Sequence, residues 1–383
     1  MIILENPYVS DFLIETIKRN KFSVLNNEIA RKYLNENELL AGEFAINTAK
    51  EELIYTNSEN SIDWIDENLS DENINQMIKI CKDKAVFRNT LKSIFPNYYF
   101  EELTLEEVKK LDSKKLNYPL VLKPTVGFLS FGVYPIKNEE EFCDVLLKID
   151  SDIEKFKGVF PNSVVDTSKF MLEKMIEGDE YALDAYYDEN GKAVILNIFQ
   201  HPFLDENDVS DRVYFSSKGI IEKYLSKFEN LLNKIGEVAN FKNFPFHLEL
   251  RVKQDEIIPI EINPMRFCGW CITDIAYYSW NINVYEYFLN NKKPNWEEIL
   301  KKSDEDYFYF TIADIPSSIN KNEIIKINYD EYLKNISNPV DIRKIDYKTK
   351  PVFAIVFGKT SNYNEIKNLL SLDMGKFIEL EKR

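Results

Sequence analysis

At 383 residues, with 44% hydrophobic and 29% charged side chains, the chain has a globular composition. It is too long for one ordinary core, so two or three packed domains are expected. A formal net charge of −16 excludes nucleic acid and anionic membrane surfaces as partners, because no basic field exists to release counterions. A small anion in a locally basic cleft stays open. No run of about 18 apolar residues occurs, so no membrane span is expected. The opening stretch from Met1 to Thr16 lacks a basic n-region, so no signal peptide is expected. Cys81 and Cys143 are isolated, and Cys268 and Cys271 form a C-G-W-C with neither a second zinc half-site nor a thioredoxin-like setting. They are read as reduced thiols of a cytoplasmic protein.

In chain order, Ile2-Ile3-Leu4, Phe22 to Leu25 and Leu53 to Tyr55 predict strands. Ser10 can cap a helix that carries Leu13, Ile14 and Ile17 on one face. Strand–helix–strand order implies a small parallel sheet, and no G-x-G-x-x-G follows its first strand. Ile74, Met77, Ile78 and Cys81 predict a helix, and Ala85 to Ile94 another, stopped by Pro96. Tyr118 to Lys123 reads as a strand ending in lysine, followed by a loop holding Gly127, Ser130 and Gly132 and a returning strand at Tyr134. Glycine lets amides approach phosphate and lysine supplies a point charge, but a plain hairpin has the same pattern. Phe170 to Leu172 and Tyr181 to Tyr187 read as strands joined by a polar connector. Asp208 to Tyr214 reads as a loop, Lys218 to Asn240 as a helix, and Ile275 to Phe288 as helical and aromatic. Tyr309 to Ala313 and Val352 to Phe357 predict strands of a small C-terminal α+β or β-rich piece.

The densest signal is Phe246 to Trp270, two strands joined by a polar turn. Period-2 alternation puts His247, Glu249 and Arg251 on one face of the first strand and Glu261 and Asn263 on one face of the second. Two carboxylates and an amide aimed at one spot suit a hard divalent cation, which completes its shell with water and phosphate. Sharing a cation requires Glu249 opposite Glu261 and His247 opposite Asn263. A constant pairing sum then sets Lys253 opposite Ile257 and leaves an odd loop, Gln254-Asp255-Glu256. Such a loop needs a bulge or a positive φ, for which Asp255 is the suited residue. Pro259 should sit where no ladder N–H is needed, or at the bulge. The aromatic residues Trp270, Tyr277, Tyr278 and Trp280 are core in the ordinary case and could instead line an acceptor pocket.

E-x-N-P followed closely by Arg, with a lone acidic residue on the preceding strand, resembles the metal site of the ATP-grasp superfamily, whose members include D-alanine–D-alanine ligase and biotin carboxylase. The other signals occur in the order that family requires. The resemblance implies an α/β and α+β chain: an N-terminal small parallel-sheet domain over 1–80, an ATP-grasp domain over 81–300 and a C-terminal α+β subdomain over 301–383. The lid of the ATP-grasp domain would span about 115–175 and its larger part 176–300. It implies that Lys84 and Lys123 contact phosphates, that Ser130 and Gly132 lie in the loop closing over them, that Glu173, Lys174 and Ile176 belong to the adenine hinge, and that Glu180 holds ribose. Glu249, Glu261 and Asn263 would bind Mg²⁺, two ions in the family pattern, with Mn²⁺ as a substitute. The chemistry implied is an ATP-dependent carboxylate–amine ligase, with Lys123 at the phosphates and Arg266, or second Arg212, on the substrate carboxylate. An ATP-binding module without turnover, or another acylphosphate-forming enzyme of carbamoyl-phosphate type, is the alternative. Partners would be small carboxylates and amines, with a homodimer left open. The chain departs from the pattern in a glycine-poor loop, G-F-L-S-F-G, and in Met265 between the E-x-N-P and Arg266.

Overall fold

In the computed structural model, which describes residues 1–69, 73–126, 132–156, 166–205, 208 and 210–381, Ser10 caps its helix as expected. Its Oγ accepts from the Leu13 amide at 3.0 Å, and the helix Asp11–Asn20 buries Leu13, Ile14 and Ile17. The helix lies in sequence between β1 (Ile2–Ile3) and β2 (Val24–Leu25). With β3 (Leu39–Leu40) and β4 (Tyr55–Thr56) these form a parallel sheet of order β3-β2-β1-β4. The predicted small parallel sheet is present, and β3 is a strand too short for periodicity to reveal.

A second sheet holds β5 (Phe100–Thr104), β6 (Leu120–Val126), β7 (Tyr134–Ile136) and β8 (Asp166–Lys174), antiparallel in the order β5-β8-β6-β7. Leu120, Leu122, Ile136, Phe170 and Leu172 pack on Phe142, Val145 and Ile149 of the helix Glu139–Phe156, giving this second sheet a core of its own.

The large sheet begins with β9 (Asp179–Tyr187), β10 (Ala193–His201), β11 (Val213–Ser217), β12 (Phe244–Lys253), β13 (Glu256–Pro264) and β14 (Tyr307–Asp314). Further on come β15 (Ile324–Ile327), β16 (Pro339–Lys344), β17 (Val352–Thr360) and β18 (Ile378–Leu380). β15 pairs with β18, whereas β16 and β17 complete an eight-stranded antiparallel sheet of order β13-β12-β9-β10-β11-β14-β17-β16. The helix Lys218–Ala239 covers one face with Ile221, Tyr224, Phe228, Leu232 and Ile235. The other face carries the site.

The structure departs from the sequence reading at three places. Val213 and Tyr214 open a strand instead of ending a loop, because they pair with Thr311 and Phe310 of β14, a partner invisible to local polarity. The helical stretch after Ile275 is two helices, Ile275–Trp280 and Val284–Leu289, broken where Asn281 takes φ 56°. The late strands are present, and they extend the large sheet past residue 300. Among the described residues no helix is long and apolar enough to cross a membrane.

Candidate active site

The β12–β13 hairpin pairs Glu249 with Glu261 and His247 with Asn263, as a shared cation requires. The turn differs from expectation. It is the two-residue Gln254-Asp255, closing Lys253 against Glu256, and Gln254, not Asp255, takes the positive φ of 58°. The parity is restored inside the ladder: Leu250 pairs with Pro259 while Glu249 pairs with Glu261, so Ile260 is an extra, bulged residue. Pro259 therefore sits beside the bulge. Asn263 Nδ2 lies 3.4 Å from Glu249 Oε1, and His247 Nε2 lies 3.9 Å from the same oxygen. Asp184, fully buried, accepts from His247 Nδ1 at 2.8 Å and from the Cys268 amide at 2.8 Å, which turns Nε2 towards the carboxylates.

Lys84 and Arg88 are one helical turn apart on the helix Lys84–Thr90, whose first amides are capped by Asp83. Lys84 Nζ is 3.4 Å from Glu261 Oε2. Lys123, inside β6, which runs on to Val126 where the sequence reading ended the strand at the lysine, is buried and places Nζ 2.5 Å from Glu173 Oε1, while Arg88 Nε meets Glu173 Oε2 at 2.6 Å. Burial alone would push the Glu173 carboxyl up, but Lys123 and Arg88 outweigh it and hold it at about 2. Arg88 was not singled out by sequence; the signal available was an arginine one turn after Lys84 on the same face.

The connector Lys174 to Gly178 runs along the tip of the hairpin. Tyr98 donates its hydroxyl to the Lys174 carbonyl at 2.7 Å, and Arg251 Nη1 donates to the Ile176 carbonyl at 2.8 Å. Gly178 takes φ 113°, and a Cβ there would sit 2.3 Å from the Val252 carbonyl oxygen, so only glycine fits this approach. Glu180 is buried between two strands: His201 Nδ1 is 3.0 Å from Oε1, and Arg251 Nε and Nη2 are each 3.1 Å from Oε2. A cleft of about 340 Å³ opens here, lined by Tyr98, Lys174, Met175, Ile176, Arg251 and Ile258 among others. That size lies in the range of small-ligand sites, roughly 300–1,000 Å³. Arg251 and its partner Ile258 continue the face of Glu249 and Glu261, so the cleft lies further along that face of the hairpin, towards its tip.

The two arginines part company. Arg266 donates Nε and Nη2 to Glu59 Oε1 at 3.0 and 2.8 Å and Nη1 to the Phe267 carbonyl, and its charge is felt at Glu249. Glu59, which also pairs with Lys82, is a site-facing carboxylate from the N-terminal part that sequence gave no reason to select. Arg212 instead spends its guanidinium on the Leu370 and Leu372 carbonyls and on Asp314, so the structure brings Arg266 to the carboxylates and directs Arg212 elsewhere. Gly132 takes φ 67° against Pro124, while Ser130 lies outside the described residues. Of the aromatic group, Trp280 is buried and donates to Asn197, and Trp270 is half-buried and stacked on Tyr8 at 6.0 Å. Cys268 and Cys271 are buried free thiols.

The donor set fits a hard cation. Burial and the facing Glu261 push the Glu249 carboxyl well up, whereas Lys84 and Lys123 overcome burial at Glu261 and hold it down. Two carboxylates that cannot both ionise freely are what an added divalent charge relieves. Among the described residues no three His, Cys, Asp or Glu side chains are grouped as a metal cage. An ion here would take two carboxylates and one amide oxygen, with water or phosphate for the rest. As a ligand, Asn263 would turn its amide to present Oδ1.

Comparison with known proteins falls on the same region. Residues 116–274 match the family profile described as the ATP-grasp domain. The chain is 28% identical over 191 residues to the D-alanine–D-alanine ligase of Petrotoga mobilis, a match covering 47% of this chain and 56% of that one. The match thus spans about half the length of that curated relative. Among solved structures, the fold is similar to that of an L-amino acid ligase from Bacillus licheniformis, with a TM-score of 0.66 at 16% identity over 100% of this chain and 98% of that one. It is also similar to the biotin carboxylase domain dimer of Hydrogenobacter thermophilus 2-oxoglutarate carboxylase, solved with MgADP and bicarbonate, with a TM-score of 0.65 at 15% identity over 99% and 90%.

Proposed function

From the ATP-grasp domain matched over residues 116–274 we propose that the chain is an ATP-dependent ligase that activates a small carboxylate as an acylphosphate for attack by an amine. One arrangement supports the reading: Glu249, Glu261 and Asn263 share a face, with Lys84 beside them, and that face leads into the cleft at Lys174 to Ile176. In this reading the base rests on the hinge and Glu180 takes the ribose. Lys84, Lys123, Ser130 and Gly132 hold phosphates, and Glu249, Glu261 and Asn263 hold Mg²⁺. The bound ions would neutralise charge on the transferring phosphoryl group. The chain's own cations position that group, and Arg266 faces the substrate carboxylate from beside Glu249. Four free thiols agree with a reducing, cytoplasmic setting. Amino acids are the first substrates to try, because the D-alanine–D-alanine ligase and the L-amino acid ligase that resemble the chain are named for them.

The test is a phosphate-release screen with ATP, Mg²⁺ and paired amino acids and small acids. At least one pair should release phosphate above the ATP-only rate. Lys123→Ala should weaken Mg·ATP binding about tenfold to a hundredfold, the loss expected of a hydrogen bond to a charged group, measured by calorimetry. Unchanged affinity in that variant would remove the lysine from the phosphate site. Tight ATP binding with no release for any pair would favour a nucleotide-binding module instead.

A further inference from the structure

We propose that Arg88 is a positioning residue that fixes the register of the carboxylate strand and ties it to the buried lysine of the lid. The inference rests on the reading above for what the carboxylates do, and on geometry for how Arg88 holds them. The two-residue turn sets Lys253 opposite Glu256 and Arg251 opposite Ile258. Continued without interruption, that register would put Ile260 opposite Glu249 and turn Glu261 and Asn263 to the far face. The bulge at Ile260 prevents this. A bulge takes backbone groups out of the ladder, and β13 is an edge strand with no strand paired on its outer side among the described residues. The two carbonyls at that point, Pro259 and Ile260, both accept from Arg88, from Nη1 at 2.7 Å and Nη2 at 3.4 Å. Its Nε is the atom bonded to Glu173, whose other oxygen holds Lys123. The Arg88 side chain is 3% exposed and lies over the Tyr98 ring at 4.7 Å. Three acceptors in two directions need a rigid planar fork, which lysine lacks.

The test uses the full chain with Arg88→Lys, which keeps a charge for Glu173, and Arg88→Gln as the second variant. ATP-analogue binding is measured across a Mg²⁺ series, alongside the melting temperature. The Mg²⁺ concentration at half-saturation is expected to rise about tenfold to a hundredfold, the usual effect of losing a group that orients metal ligands. Wild type in mild urea, matched to the variants' loss of stability, is expected to keep its Mg²⁺ requirement. A lowered melting temperature with a Mg²⁺ requirement within about twofold of wild type, in either folded variant, would overturn the proposal and leave Arg88 a packing residue. Wild type that shows no Mg²⁺-dependent nucleotide binding would instead sink the ligase reading, and the assignment of Arg88 with it.

Discussion

Glu261→Gln is expected to lower ATP-dependent turnover about a thousandfold while leaving the fold intact. The substitution keeps size and hydrogen-bonding shape and removes one charge from the pair Glu249–Glu261. Charge stabilisation by a bound metal is worth several kcal/mol, and about 4 kcal/mol is a factor of a thousand. Lys84, 3.4 Å from Glu261, would still find an amide oxygen to donate to, so stability should change little. The measurement is steady-state ADP formation at saturating ATP over a wide Mg²⁺ range. Turnover within tenfold of wild type would show that Glu261 is not part of the phosphoryl-transfer machinery.

Glu173→Ala should cost stability, about 3–5 kcal/mol, because it strands two cations in a site from which water is excluded. The side chains of Arg88 and Glu173 are each 3% exposed and that of Lys123 is 8% exposed. The same carboxyl should write itself into the acid unfolding curve. Burial favours its neutral form, yet Lys123 and Arg88 hold it at about 2 from a usual 4.5, and Arg266 and Lys82 do the same for Glu59. A depressed carboxyl contributes its full stability above its unfolded value and loses it as pH falls through its folded value. Wild type should therefore weaken between roughly pH 4.5 and 2, and Glu173→Ala should be weaker at pH 7 with a shallower acid slope. Denaturant midpoints across that window read both effects. A Glu173→Ala midpoint equal to wild type at neutral pH would mean that the two cations find water without it.

The site was legible where chemistry is local. The alternation around Glu249, Glu261 and Asn263 needs only a strand period of two, and Ser10 needs only its own helix. The hairpin's interior was legible in outcome but not in route. A pairing sum taken as constant demanded an odd loop, whereas the chain uses an even turn and inserts Ile260, because a bulge can be satisfied by a donor from another element. Arg88 lies far from β13 in sequence, and no window contains both. The sequence ranks Arg266 above Arg212 by its place after E-x-N-P, but the partners that separate the two, Leu370, Leu372 and Asp314 for Arg212 and Glu59 for Arg266, come from distant segments. Strand β11 was hidden by a polar run whose ladder partner is likewise remote.

The two rims of the large sheet are protected by different means, and this bears on how the molecule avoids sticking to itself. β16 guards its own rim by composition, with Pro339, Asp341, Arg343 and Lys344 in six residues. β13, E-I-I-P-I-E-I-N-P, has two glutamates, two prolines and a bulge among its isoleucines, and adds to them cover supplied by other segments. The helix Asn73–Lys82 packs along it and Arg88 occupies its outward carbonyls. A fragment that begins at β6 would keep every strand of the large sheet and lose that cover. It would uncover the four isoleucines of β13 and leave its glutamates, prolines and bulge as that rim's own guard, so the fragment should build the sheet but be less soluble than the full chain.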